Sequence, residues 1–128
     1  MKILKHSILI ILLLISVVSC NFSMPENKGK IVVTNQAENQ TDKIIAVYAK
    51  SEDASDYVLY WNNEDGASYY EDAAFYIENG KYDVMIYVQK DNFFLNTESF
   101  QTGYKNPVEV KTDEYSFIYY DGNGIYQK

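Results

Sequence analysis

The sequence predicts an all-β protein, an antiparallel β-sandwich of about seven to nine short strands. From Lys30 onward, short runs of β-branched and aromatic residues are separated by clusters of Asn, Asp, Gly and Lys, at a spacing of roughly 8–12 residues. The segment that begins at Tyr82 alternates strictly, with Tyr82, Val84, Ile86 and Val88 on one side. Such alternation is typical of a strand with one buried face.

The expected strands can be placed in order along the chain. They lie at residues 31–34, 44–49, 57–61, 75–77, 82–89, 93–100, 108–110 and 116–120, with a short tail at 125–128. Asn79-Gly80 predicts a tight hairpin turn before the fifth strand, because this pair readily adopts positive φ. Polar clusters predict further turns at residues 62–66 and 121–124, and a hairpin connection at 111–115.

Residues 67–77 carry conflicting signals. Ser68 and Glu71 form a capping-box pattern, and the apolar residues around them lie near helical spacing. The Tyr, Phe and Ile residues of the same segment favour a strand. We expect irregular chain followed by a strand.

The first twenty residues form a separate segment. Lys2 and Lys5 precede an apolar run of eleven residues, 8–18, in which Ser16 is the one polar member. The run is too short to span a bilayer, which takes about 20 residues, but suits a signal peptide. Val17-Val18-Ser19-Cys20 resembles the lipobox of bacterial lipoproteins.

The lipobox resemblance implies cleavage before Cys20, attachment of a diacylglycerol to its thiol, and acylation (for example with palmitate) of the new amino end. The expected organisation is therefore a lipoprotein signal peptide at 1–19, a lipidated Cys and polar tether at 20–29, and a β-sandwich domain at 30–128. The protein would be exported and lipid-anchored at the bacterial cell envelope, in the inner or the outer membrane. The alternative is an ordinary signal peptide whose cleavage site happens to precede Cys20.

A second resemblance lies in the segment from Glu78 to Val84. Glu78, Gly80 and Tyr82 are spaced by two, which resembles the tyrosine corner of immunoglobulin-like sandwiches. The sequence pattern of this segment, Ile-x-x-Gly-x-Tyr-x-Val, is similar to that of carboxypeptidase-regulatory-like and other prealbumin-like modules. Either resemblance implies that Tyr82 packs inward while its hydroxyl bonds to the backbone, and the immunoglobulin-like one makes Trp61 a candidate core residue.

Composition excludes several kinds of chemistry. The chain carries 11 basic residues, all Lys, against 18 acidic ones, for a net charge of −7. Cleavage before Cys20 removes two Lys and His6, which leaves nine Lys against 18 acids, a charge of −9, and no histidine. Nucleic acid is an unsuitable partner for such an acidic chain, and sites built on His or on Cys and His lack their residues. We expect no enzymatic activity and no cofactor besides the lipid on Cys20.

These observations predict a membrane-anchored, non-catalytic module that binds a partner or supports the envelope. The 20 aromatic residues exceed what one thin core needs, so several rings should be exposed. Tyr57, Tyr60 and Trp61 crowd one strand, and we expect them to form the surface that meets a protein or a glycan.

Two alternatives stay open. Pairs of carboxylates would allow an extracytoplasmic enzyme that acts on envelope glycans. Oxygen-rich turns would allow a calcium-stabilised adhesion module, although Asn, Asp and Gly also occupy turns for backbone reasons alone. The candidate calcium ligands are Asn62, Glu64, Asp65, Asp121 and Asn123.

Overall fold

The computed structural model describes residues 25–90 and 96–128, which form nine β-strands in two sheets. The strands are β1 Lys28–Asn35, β2 Lys43–Ser51, β3 Val58–Ala67, β4 Asp72–Glu78, β5 Gly80–Gln89, β6 Thr97–Gln101, β7 Val108–Val110, β8 Tyr115–Tyr120 and β9 Ile125–Gln127. The all-β, sandwich-like prediction is confirmed. The signal segment, Cys20 and the first part of the strand predicted at 93–100 lie outside the described residues.

The two sheets divide the strands in an order that the sequence does not reveal. The first sheet runs β4-β1-β8-β9, and the second runs β3-β2-β5-β6 with β7 also paired to β5. β1 is antiparallel to β4 but parallel to β8, so the first sheet is mixed where the sequence predicts antiparallel pairing throughout. Parallel neighbours need a long connection, which the passage through the second sheet supplies.

The core lies between the two sheets and is built by strand alternation. Ile31 and Val33 of β1 belong to the same core cluster as Val84 and Ile86 of β5, and all four are fully buried. Ile118 of β8 joins the same cluster. Each such aliphatic side chain contributes about 1.5–3 kcal/mol through burial, so the alternating pattern fixes which face of each strand points inward.

Two predicted hairpins are instead crossings between the sheets. β4 pairs with β1 and β5 pairs with β2, so the Asn79-Gly80 pair carries the chain from one sheet to the other. The hairpin predicted around residues 111–115 is also wrong, because β7 pairs with β5 while β8 pairs with β1. Turn residues mark a change of direction, but they do not specify which strand is the next partner.

The turn predicted at residues 62–66 is also wrong, because these residues belong to β3. The pairing of β3 with β2 shifts register between Ile44 and Ala46 and again between Val47 and Tyr48. Such bulges accommodate the polar residues and the positive φ of Gly66, 72°, within a continuous strand.

Residues 67–77 follow the favoured expectation of irregular chain and then a strand, β4. Tyr70 adopts a positive φ of 64°, which breaks any helical path. The Ser68 amide still donates to the Glu71 carboxylate over 3.2 Å, as in a capping box, but here the bond closes a turn.

The predicted corner at Tyr82 is present as a hydrogen bond. Tyr82 is 7% exposed, and its hydroxyl donates to the Glu78 carbonyl oxygen at 2.7 Å. The bond spans the crossing from β4 to β5. The Tyr82 side chain of the second sheet therefore holds Glu78, the last residue of β4 in the first sheet.

Among residues 25–90 and 96–128, no helix is long and apolar enough to cross a bilayer.

Candidate binding face

The three aromatic residues singled out by the sequence do not share one surface. Tyr60 stacks on Phe75 of β4, with ring centroids 5.2 Å apart and an interplanar angle of 20°. Trp61 is partly buried and packs against the core. It lies next to the shift in the pairing of β2 with β3 that skips Tyr60. Both residues therefore help to close the edge of the sandwich where β3 approaches β4.

Tyr57 belongs to a different part of the molecule. Its hydroxyl donates to the Asp83 carboxylate and also lies 3.2 Å from the Gln101 Oε1 atom. Asp83 is 3% exposed and accepts a further bond from the Gly103 amide at 2.9 Å. Burial, together with the bond to Asp83 and its negative charge, raises the pKa of Tyr57 well above its usual range. This arrangement holds the chain that leaves β6 and has a structural role.

The candidate calcium ligands have the surroundings of ordinary strand and turn residues. Asn62, Glu64 and Asp65 are exposed residues of β3. The Asp121 Oδ1 atom accepts bonds from the amides of Asn123 at 2.8 Å and of Gly124 at 2.9 Å, which is how Asp stabilises a tight turn. Within the part of the chain that the structure describes, no group of three or more acidic, His or Cys side chains is arranged to hold a metal ion.

An open cleft lies beside the crossing from β4 to β5. Carboxylates line it from the connection between β2 and β3 and from the end of β4, and Tyr60 and Tyr82 lie next to them. The acidic residues that line it are Glu52, Asp53, Asp56 and Glu78. A carboxylate-dependent enzyme, the alternative reading of the sequence, would use this cleft.

A buried polar cluster, which sequence reasoning missed, ties together the other end of the sandwich. Asp42 is fully buried, and its Oδ2 atom accepts bonds from Lys90 Nζ at 2.7 Å and from the Tyr120 hydroxyl at 2.6 Å. Lys90 Nζ also donates to the Gly122 carbonyl at 2.8 Å. The three side chains come from distant segments, so no local sequence signal could have identified the cluster.

The outer face of the first sheet carries the main group of exposed aromatic side chains. β4, β8 and β9 each place alternate residues outward, and the register brings these residues level with one another around β1. We call this surface the aromatic face. Its rings are Tyr76, Tyr115, Phe117, Tyr119 and Tyr126.

Lys30 of β1 lies at the centre of one row of this face. It is opposite Tyr76 on one side and Tyr115 on the other. The Lys30 Nζ atom is 5.4 Å from the centroid of the Tyr76 ring and 5.8 Å from that of Tyr115. Both distances are within the range of a cation–π interaction. The two tyrosines nevertheless remain 43% and 58% exposed.

The remaining rings extend the aromatic face toward β9. Tyr119 and Tyr126 are cross-strand partners whose rings stack with centroids 5.6 Å apart and an interplanar angle of 26°. The Lys128 Nζ atom lies 5.4 Å from the centroid of the Tyr119 ring. Phe117 lies between the two groups, 43% exposed and edge-on to Tyr115.

The aromatic face is continuous, and Lys30 and Lys128 are the charged side chains that lie over its rings. Val32 and Ala74 fill the row beside Phe117, so that apolar atoms connect the rings. Four strands at about 4.8 Å spacing and five residues at about 3.3 Å rise make it roughly 14 by 13 Å. Aromatic rings gathered on one sheet face can serve as an interaction site, because each ring gives a large, rigid contact area.

No protein-family model, curated protein or solved structure matches this chain.

Proposed function

We propose that the protein is a lipid-anchored, non-catalytic β-sandwich module of the bacterial cell envelope, and that it works by binding through the aromatic face. The observation that supports binding is the exposure of Tyr76, Tyr115, Phe117 and Tyr126 on one side of one sheet, at 42–58%. Exposed rings in one continuous patch favour association, since each contributes a large, rigid contact area.

The two buried carboxylates, Asp42 and Asp83, support the role of the domain as a stable scaffold. Asp42 is held by Lys90 and Tyr120, and Asp83 is held by Tyr57 and the backbone after β6. Catalytic carboxylates need access to a substrate. These two instead join segments that are distant in the chain, which is what a stable scaffold without disulfides requires.

The anchoring part of the proposal is supported by the N-terminal sequence. The apolar run of residues 8–18 leads directly to Cys20, the one cysteine in the chain. Strand β1 begins at Lys28, eight residues later, so the folded domain would stay within about 28 Å of the lipid. Two or more acyl chains on Cys20 would make this attachment lasting.

We also propose the prealbumin-like alternative over the immunoglobulin-like one. In immunoglobulin constant domains the first two strands are neighbours in one sheet. Here β1 pairs with β4 and β8, whereas β2 pairs with β3 and β5 in the other sheet. The tyrosine corner at Tyr82 suits either sandwich, so the strand order supports the choice.

Metabolic labelling with palmitate tests the anchor. We expect the wild-type protein to incorporate label and to sediment with membranes, and the Cys20→Ser variant to do neither, because serine cannot form the thioether. Ser19→Ala is the matched control, since it keeps a small residue before the cleavage site and should be labelled normally. Recovery of unlabelled wild-type protein from the soluble fraction would contradict the proposal.

A further inference from the structure

We propose that the partner of the aromatic face is the anionic surface of the bilayer that carries the anchor, so that the domain lies on the membrane with this face against the lipid headgroups. The inference rests on the proposed lipid attachment at Cys20. It is supported by where the tether enters the fold, by the composition and charge of the face, and by the orientation of its rings.

The tether delivers the chain directly to the aromatic face. β1 begins at Lys28 and occupies an interior position in the first sheet, between β4 and β8. Lys30, the centre of the first aromatic row, is two residues further on. Since Cys20 is at most about 28 Å from Lys28, the start of β1 stays within reach of the headgroup region for as long as the anchor is inserted.

The composition of the face matches the boundary between lipid and water. Tyrosine is enriched at that boundary, because its ring is apolar while its hydroxyl remains hydrated. Phe117 and Val32 supply apolar surface between the tyrosines. Such side chains suit a shallow position among headgroups, as for other proteins that lie on a membrane without spanning it.

The lysines of the face lie over its rings, where they can meet an anionic bilayer. Lys30 and Lys128 lie over its rings, and Lys28 begins the same strand. The acidic residues around it include Asp72, which accepts a bond from the Thr34 hydroxyl at 2.7 Å, Glu78, and Glu26, which lies beside Lys28 and Glu78. A lysine near an anionic surface is attracted to it. Positive and negative charges on this side are thus balanced, with the lysines over the rings, whereas the domain as a whole is strongly acidic.

The orientation of the rings argues against a glycan as the occupant. Stacking on a sugar requires a free ring face directed outward. The Lys30 ammonium group already lies over the rings of Tyr76 and Tyr115, and Tyr119 is stacked on Tyr126 and has Lys128 over it. Each of these rings therefore has one face already occupied by a lysine or by another ring. Headgroups and the first methylenes of lipid chains can pack against the parts of the rings that remain exposed.

A polarity-sensitive fluorophore on the lipidated full-length protein tests the inference. Phe117→Cys would place the label on the aromatic face. Ser99→Cys is the matched control, because Ser99 is exposed and pairs with Tyr87 in the other sheet. Both proteins are reconstituted in vesicles of equal parts phosphatidylglycerol and phosphatidylcholine, or of phosphatidylcholine alone.

We expect the label at position 117 to shift to the blue and gain about twofold in intensity in the anionic vesicles, and the label at 99 to be unchanged. Lys30→Glu combined with Lys128→Glu should remove the gain at position 117, because the attraction of these two side chains to the anionic surface becomes repulsion. Lys105→Glu, at an exposed loop position, should leave it intact. If Phe117→Cys does not fold, Tyr115→Cys, 58% exposed, replaces it.

The outcomes separate this inference from the proposed function. A palmitate-labelled protein whose fluorophore is equally hydrated at 117 and at 99 would overturn the inference and leave the anchor in place. Shielding of position 117 by a soluble glycan or a protein, and not by vesicles, would also overturn it. Absence of palmitate at Cys20 would contradict the proposed function itself.

Discussion

The Tyr82 hydroxyl is a single group whose contribution to stability can be measured. It donates to the Glu78 carbonyl over 2.7 Å while its ring is buried. Tyr82→Phe keeps the ring and leaves that carbonyl without this partner, so we expect the free energy of unfolding to fall by about 1–2 kcal/mol in urea denaturation. Tyr104→Phe is the control, because Tyr104 is 58% exposed and should change stability little. Equal stability of Tyr82→Phe and wild type would mean that the hydroxyl contributes nothing to the corner.

Lys90 neutralises a fully buried carboxylate, and its loss should be more costly. Lys90→Met removes the cation 2.7 Å from the Asp42 oxygen and leaves the negative charge of Asp42 buried. Removing one member of such a pair costs about 3–5 kcal/mol, so we expect a large decrease in the urea midpoint. Lys105→Met, at an exposed position, should stay within about 0.5 kcal/mol of wild type. A Lys90→Met protein as stable as Lys105→Met would contradict a structural role for the pair.

At the scale of one element, β1 depends on a glycine for steric reasons. A Cβ atom on Gly29 would lie 2.7 Å from the Val110 Cγ1 atom and would also meet the Lys111 carbonyl oxygen. Because a backbone oxygen cannot move aside cheaply, we expect Gly29→Ala to lower the free energy of unfolding by about 1–3 kcal/mol. Gly124→Ala is the matched control, since nothing lies within 4 Å of its Cβ position. The thermal unfolding midpoints of the two variants check this expectation. Equal midpoints would contradict the steric account.

The strands show what sequence patterns can and cannot predict about elements. The alternation of Tyr82, Val84, Ile86 and Val88 correctly predicts β5 and its buried face, because every second residue of a strand points to the same side of the sheet. The turn predicted at 62–66 was wrong, because bulges opposite β2 absorb the polar residues into β3. Local residue preferences cannot detect that compensation, since it depends on the neighbouring strand.

At the scale of the whole molecule, the binding face is a product of topology. Lys30, Tyr76 and Tyr115 are distant in the chain, and they become neighbours because β1 pairs with both β4 and β8. The sequence correctly predicts that some of its 20 aromatic rings are exposed. It directs attention to residues 57–61, where three aromatics lie within five residues, because sequence proximity is visible and strand order is not.

The response of the whole molecule to alkaline pH follows from three groups whose pKa values are all raised in the folded protein. Burial, followed by the bond to Asp42, raises the pKa of Tyr120. Burial alone would lower the pKa of Lys90, but its bonds to Asp42 and Tyr120 outweigh that effect and raise it. The pKa of Tyr57 is raised as well, first by burial and then by Asp83. In the unfolded chain these groups titrate near pH 10.

Stability should therefore be constant with respect to these groups below about pH 9 and fall above about pH 10. In that range the unfolded chain releases protons that the folded protein retains, so the unfolded state is favoured as pH rises. We expect the thermal midpoint to decrease steadily between about pH 10 and pH 11, and less steeply in Tyr57→Phe, which has one such proton fewer. Phe117→Leu is the control, because it replaces an exposed ring that carries no titratable proton. A midpoint that rose or stayed level across this range would contradict the assignment of protonated Lys90, Tyr120 and Tyr57 as a source of native stability.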